Sequence, residues 1–329
     1  YPYMGTGSQS TTKPTGLMRK TLQEEILRML DRQKKEWDLA ARNYEALDHV
    51  LIRELSLGDA LVRVQYNPAR SVSTTAKVDK DAVKQRPCFL CPDHLPSEQL
   101  RLPFGDRYLI LCNPYPIFRH HLTIPACEHT PQRIQSRLVD MLELSRQLPN
   151  FTLFYNGPRC GASAPDHFHF QAVPWGDMPV DQEIETHTKL LLVEKETSLN
   201  TFSLGSRNGF VIRSSLIPDA VSMFEKLCTW LPVSIEDEVP MMNLFVHYEK
   251  QAWSLLAVVR KKHRPWQYTA AEPDRFLSSP GAADLGGVFV TVRESDFNRA
   301  DALLINDVYQ QVCFSARELE LQIAKKIGK

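Results

Sequence analysis

The chain lacks an excess of either charge: 39 Lys and Arg stand against 39 Asp and Glu, so no net field draws a polyanion and no nucleic-acid partner is expected. It also lacks any run near the roughly 20 apolar residues that a bilayer span requires. The opening Tyr1-Pro2-Tyr3-Met4 has neither the basic nor the apolar stretch of a secretory leader, so no membrane partner and a cytoplasmic location are expected. No Gly-x-Gly-x-x-Gly follows a strand-like run and no Walker loop is present, which argues against dinucleotide-binding and P-loop folds. Seven cysteines, an odd number, make a poor disulfide framework and fit a reducing compartment. What remains is an ordinary globular composition, 43% hydrophobic and 24% charged over 329 residues, enough for one large domain or two.

Residues 1–20, rich in Gly, Ser and Thr, read as a flexible N-terminus. From Thr21 to about Leu47 apolar residues recur at helical spacing, with Thr21 and Glu24 placed as a capping box, which predicts one long amphipathic packing helix or an oligomer face; a homodimer is compatible with it. Short β-prone runs follow between about Val50 and Val78, and Arg70 and Lys77 in the loop after them are candidates to reach an anionic substrate. Strand patterns at 108–112, 121–125 and 151–155, a helix over 134–148, and a helical or mixed stretch over 183–194 come next. A short strand at 210–213 and a helix over 217–231 precede a hairpin spanning 242–260. A strand at 287–292 and a largely helical stretch over 297–323 complete the pattern. Segregated strands and helices with hairpins predict an α+β fold, mostly antiparallel sheet flanked by helices.

Two constellations carry chemistry. In His167-Phe168-His169-Phe170-Gln171 the strand period places His167, His169 and Gln171 on one face and both phenylalanines on the other. A neutral imidazole is both a nucleophile and a metal ligand. The preceding loop, with Asn156, Arg159, Gly161 and Ser163, can turn amide, guanidinium, hydroxyl and backbone N–H groups toward an anion, so chemistry at phosphorus is the expected use. The second constellation is Cys88-x-x-Cys91, half of a zinc site if its remaining two ligands come from His94, His120, His121, His129 or His167, and otherwise a redox pair or two buried thiols. Histidines two apart on a strand lie about 6 to 7 Å from each other, so one can be held by metal while the other stays free.

Together these blocks resemble the histidine-triad superfamily, especially the branch of galactose-1-phosphate uridylyltransferase, diadenosine tetraphosphate phosphorylase and GDP-hexose phosphorylases. The likeness rests on Cys88-x-x-Cys91, on the run from His121 through Ile124-Pro125 to His129, and on Asn156-Gly157 leading to His167-x-His169-x-Gln171. It is strong over about 86–175. The stretch Leu256 to His263 resembles a degenerate second copy, which implies a catalytic half over 21–195 and a second half over 196–329. The resemblance implies His169 as nucleophile, Gln171 as a donor to a non-bridging phosphate oxygen, and Cys88, Cys91, His129 and His167 as ligands of a structural zinc. Asn156, Ser163 and Arg159 would hold phosphate oxygens, with His121 nearby. Asp166 and Phe168 stand where that branch has prolines or small residues, which bears on the substrate more than on the chemistry.

The activity so implied is nucleotidyl transfer or phosphorolysis at the α-phosphate of a nucleotide sugar or dinucleoside polyphosphate, through a covalent nucleotidyl-histidine, with phosphate or a sugar phosphate as acceptor. Two other readings share the fold: a nucleotide-binding protein with little catalysis, and a nucleotide hydrolase. A cupin-like metal enzyme would match Gly161 and the His-x-His, but the glutamate its motif needs four or five residues later is replaced by Val173 and Pro174.

Overall fold

A computed structural model describes residues 21–235 and 237–327. The expectation of a flexible segment over 1–20 lies outside the described residues. Thr21 caps the first helix as its sequence predicts: the Thr21 hydroxyl accepts from the Glu24 amide, and the Glu24 carboxylate accepts from the Thr21 amide. The helix does not run on to Leu47. It ends at Glu36, Trp37 adopts an extended conformation, and a second helix runs Asp38–Leu47. The apolar period alone cannot reveal this break, because both halves of the segment face the same core.

Among the described residues thirteen strands form two sheets. The first five to enter the large sheet are β3 (Arg101–Phe104), β4 (Tyr108–Cys112), β5 (Leu122–Pro125), β6 (Phe151–Asn156) and β7 (His169–Pro174). They are followed by β8 (Thr188–Glu194), β9 (Thr197–Leu204), β10 (Arg207–Ser214), β11 (Met242–Glu249) and β12 (Ala252–Val259). The order across the ten-stranded sheet is β3-β4-β5-β7-β6-β11-β12-β10-β9-β8, antiparallel throughout. Counted outward from the central β6–β11 pair, the two halves have the same strand order, so β12 takes the place of β7. A helix bridges the third and fourth strands in each half, Leu138–Gln147 in the first and Ile217–Trp230 in the second. The division drawn after residue 195 falls in the β8–β9 turn, inside this second five-stranded unit.

The smaller sheet joins the two ends of the chain: β1 (Leu51–Leu57) pairs antiparallel with β2 (Ala60–Tyr66), and β13 (Val288–Thr291) runs parallel to β2. Alternation in the large sheet then divides two cores. Phe168, Phe170, Ala172, Leu244, Leu255 and Ala257 point to one face, covered by the helices named so far and by a C-terminal helix, Ala316–Ile327. Phe154, Val173, Phe245, Leu256 and Val258 point to the other, covered by the small sheet and by a helix over Ala302–Val312. At about 25 cal/mol per Å² of apolar surface removed from water, burial on both faces is what holds so wide a sheet together.

Candidate active site and metal centre

Sheet alternation sends His169 and Gln171 to the face opposite Phe168 and Phe170, as the sequence predicts, and there they border a cavity of about 450 Å³. Strand β7 begins at His169, so His167 stands in the lead-in rather than within the ladder and turns to a different place. The His169 Nδ1 lies 2.9 Å from the His167 carbonyl oxygen and must donate to it, which leaves Nε2 with a free lone pair. Its backbone is held on both sides by Gln132. The Gln132 Oε1 accepts from the His169 amide at 2.8 Å, and its Nε2 donates to the His169 and Asn156 carbonyls at 2.9 and 3.0 Å. Burial pushes the His169 imidazole down to about 4, so the ring is neutral at pH 7.

Gln171 is oriented from behind. The Ile117 amide donates to His121 Nδ1 at 3.1 Å, so the His121 proton sits on Nε2, which donates to Gln171 Oε1 at 2.8 Å. With the oxygen so committed, the Gln171 amide has its NH₂ group left to offer a ligand. His121 is fully buried, does not border the cavity, and burial lowers it to about 3. His121 meets Gln171 because it directly precedes β5, the strand paired beside β7.

The loop after β6 is brought against the chain from the second half. Gly161 has φ of +95°, and a Cβ there would come within 2.5 Å of the Gly281 Cα, so only glycine permits this approach. Asn156, Gly161 and Ser163 all border the cavity. The Asn156 Oδ1 is already used, accepting from Asn243 Nδ2 at 2.8 Å and from the Ala282 amide at 2.7 Å. Arg159 does not border the cavity; its guanidinium lies 3.3 Å from the Asp237 carboxylate. Lys77 is exposed and also stands outside, whereas Arg70 borders the cavity. One Arg70 nitrogen donates to the Tyr115 carbonyl at 2.7 Å, its Nε is buried with no partner, and no carboxylate among the described residues pairs with it.

Beside this cavity the four predicted ligands meet. Cys88, Cys91, His129 and His167 bring one ligand atom each within 4.8 Å of one another, and the group could hold a metal ion. His167 Nε2 donates to the Ala126 carbonyl at 2.8 Å, so its Nδ1 presents a lone pair, 3.3 Å from both Cys88 Sγ and His129 Nδ1. Cys91 Sγ lies 3.3 Å from His129 Nδ1. Such spacings match the edges of a tetrahedron with bonds of about 2.0 to 2.3 Å, and acceptor atoms crowded this closely call for a cation between them. The outer nitrogen of His129 faces the Asp166 carboxylate at 3.8 Å, an orienting group of the kind that ligand histidines use. His94, His120 and His121 are not in the group.

Several cavity residues carry no signal in the sequence. Trp37, at the unforeseen helix break, and Phe89, inside Cys88-x-x-Cys91, give the cavity an apolar wall with Leu39 and Val72. Gln132 is invisible because nothing local marks it. His263 and Arg264 arrive from the chain just past β12 and border the same cavity; the basic run 260–264 after an apolar strand was the available hint. Behind them Arg260 is 1% exposed and pairs with no carboxylate among the described residues; Asn243, Pro280, Val312, Lys262 and His263 oxygens accept all its donors. This hub ties the end of β12 to β11 and to the loop that meets Gly161.

A family model described as a domain of unknown function, DUF4922, matches residues 29–174. No curated protein matches the sequence. Among solved structures, yeast Ap4A phosphorylase Apa2 is similar at 16% identity, covering 90% of this chain and 98% of its own, with a TM-score of 0.61. The same yeast enzyme in complex with Ap4A gives 16% identity, 89% and 97% coverage and 0.61. In complex with AMP it gives 17% identity, 87% and 97% coverage and 0.54. The chain shares this fold, a mostly antiparallel sheet with flanking helices.

Proposed function

We propose that the protein is a nucleotidyltransferase, and specifically a phosphorylase, that acts at the α-phosphate of a dinucleoside polyphosphate or nucleotide sugar. The observation that carries this reading is His169: a neutral imidazole whose Nδ1–H is tied to its own backbone and whose Nε2 lone pair is free at a cavity. The fold shared with yeast Ap4A phosphorylase, which has been solved with Ap4A and with AMP, supports a nucleotide substrate. The apolar wall of Trp37, Leu39, Val72 and Phe89 suits a base.

In this mechanism His169 Nε2 forms a bond to the α-phosphorus while the P–O bond to the leaving phosphate breaks, its electron pair remaining on that oxygen. An acceptor oxygen then attacks the same phosphorus, the N–P bond breaks, and the electron pair returns to Nε2. Two in-line displacements give net retention and ping-pong kinetics. Gln171 donates to a non-bridging oxygen through the NH₂ that His121 leaves free, and a donor of this kind contributes about 3 to 4 kcal/mol in comparable anion holes. Ser163 and Arg70 complete the phosphate environment. Zinc is the ion that a Cys₂His₂ set fits, and with four protein ligands its role is structural. His167, which would be one of its ligands, accepts the His169 Nδ1 proton through its carbonyl and so keeps the nucleophile in its tautomer. The seven free cysteines agree with a reducing, cytoplasmic setting, and the catalytic unit is the first five-stranded half, which ends with β7.

Incubation of the protein with radiolabelled Ap4A or ADP-sugar, followed by denaturation and intact-mass analysis, tests the reading. An acid-labile nucleotidyl adduct is expected, absent in His169→Gly, and orthophosphate is expected to discharge it as a nucleoside diphosphate. Discharge equally fast without orthophosphate would make the protein a hydrolase. No adduct with any nucleotide would leave only binding.

A further inference from the structure

Between the end of β2 and Cys88 the chain differs in character from the sheets around it. None of residues 68–87 is buried, yet Arg70, Val72, Ser73, Thr74, Ala76 and Val78 all border the cavity that His169 borders. Side chains that touch both a cavity and solvent form a partition between the two. This partition has no packed core of its own, since its short helical turns, Ser71–Thr74 and Lys80–Lys84, contain no buried residue. Val72 is 59% exposed, an apolar side chain at the rim with little to cover it.

Both ends of the segment are anchored. At its start the Asn67 amide donates to the Thr291 carbonyl at 2.8 Å, and Arg70 donates to the Tyr115 carbonyl at 2.7 Å. At its end Arg86 pairs with Asp166 at 3.0 Å, just before Cys88. Between these anchors the backbone hydrogen bonds of residues 71–85 stay within residues 68–85. Only two hydrogen bonds among the described residues reach 71–85 from outside, and both come from the second half. One terminal nitrogen of Arg264 lies 3.4 Å from the Ala76 carbonyl, and the Tyr268 hydroxyl lies 3.3 Å from the Thr74 carbonyl. Against the usual spans of about 2.7 to 3.0 Å both are long, so each holds weakly. The donors themselves are firmly placed: the Arg264 guanidinium lies 4.1 Å from the centre of the Tyr268 ring, and its Nε donates to Ser279 Oγ at 2.9 Å.

We infer that residues 71–85 are a strap that swings clear to admit and release ligand, with Arg264 and Tyr268 as its latch. Segments that open locally are those with few buried contacts and few hydrogen bonds to the rest of the fold, and this one has two anchored ends to turn on. Tyr268 does not border the cavity, so it acts on the strap and not on the ligand. In this way the half without a nucleophile sets how fast the site exchanges its contents. The strap goes beyond the transfer reading and takes from it only the nucleotide used as a probe.

The test uses the full-length, metal-loaded protein as wild type, Tyr268→Phe and Arg264→Gln. Tyr268→Phe keeps the ring under Arg264 and removes only the hydroxyl. Limited trypsin digestion without ligand, mapped by mass spectrometry, reads opening at the exposed Lys77, Lys80 and Lys84. Cleavage there is expected to quicken about three- to tenfold in each variant, the weight of one hydrogen bond, with the melting temperature unchanged in Tyr268→Phe. Unchanged strap cleavage in both variants, or equally faster cleavage throughout the fold, would overturn the latch. Stopped-flow binding of AMP, followed by the fluorescence of Trp37 at the cavity wall, is the second arm. Tyr268→Phe is expected to raise the association and dissociation rates by the same factor, about three- to tenfold, and to leave Kd within twofold. A faster dissociation alone would mean that Tyr268 supports the bound ligand and is no latch. If AMP does not bind while strap cleavage still depends on Tyr268, the nucleotide reading fails and the latch stands.

Discussion

The two five-stranded halves of the large sheet have one strand order and opposite uses. In the first, β7 carries His169 and Gln171 toward the cavity, and β5 beside it follows directly on His121, the residue that orients Gln171. In the second, β12 stands in the equivalent place as Ala252–Val259, with no histidine and with Leu255 through Val259 buried. Topology alone thus confers no chemistry; the side chains on the face of one strand, here one imidazole and one amide, set the two halves apart. The second half contributes after its last strand, where Arg260 braces the sheet junction and His263 and Arg264 reach the site.

The sharpest way to break the comparison is at the Cys88, Cys91, His129 and His167 cluster, the proposed metal centre, which has no counterpart in the second half among the described residues. Cys88→Ser, or chelation, is expected to lower the melting temperature by about 10 °C or more and to abolish transfer, since binding energy at such sites is folding energy. Scanning calorimetry with metal analysis checks this. No change in melting temperature after the metal is removed would show that the cluster is not a structural centre.

Next, Gln171→Ala is expected to lower kcat by about 10²- to 10³-fold with KM little changed. His121→Phe, which leaves Gln171 unoriented, is expected to lower it by about tenfold. Steady-state kinetics decide the order; a larger loss in His121→Phe than in Gln171→Ala would mean that His121 acts on substrate directly.

The second half should respond in the opposite way. Leu256→Ala removes a fully buried side chain and is expected to cost about 2 to 5 kcal/mol of stability while kcat stays within twofold. Denaturant unfolding and kinetics on one preparation check both parts.

The pH response of His121 is the most gradual effect. Its folded value, near 3, lies below the ordinary 6.5, so its contribution is fully present above 6.5. As pH falls from 6.5 toward 3 the unfolded chain takes up a proton that the folded one refuses, and stability drops by at most about 1.4 kcal/mol per unit. His121→Phe should remove that part of the slope. An unchanged slope in the variant would place the proton elsewhere.

Much of this was legible in the chain. The alternation from His167 to Gln171 requires opposite faces, because successive strand side chains point to opposite sides whatever the neighbours are. Cys88-x-x-Cys91 likewise places two thiols at one turn, since two intervening residues can do little else. The β11–β12 hairpin was readable from two apolar runs and a short link. By contrast the stretch 183–194, which reads as helical or mixed, divides into the end of a helix over Val180–Thr186 and strand β8, and β9, with its many Ser, Thr and Asn residues, shows no clear alternation.

What the sequence determined by itself was local: which residues share a strand face, which turn holds two cysteines, and the type of most elements. Tertiary structure alone decided that His121 serves Gln171, that Arg159 faces Asp237 instead of the cavity, and that His263 and Arg264 complete a site begun almost two hundred residues earlier in the chain. The physical reason is range. Backbone periodicity acts over a few residues, whereas a cavity is enclosed by whichever segments the burial of two apolar sheet faces brings together.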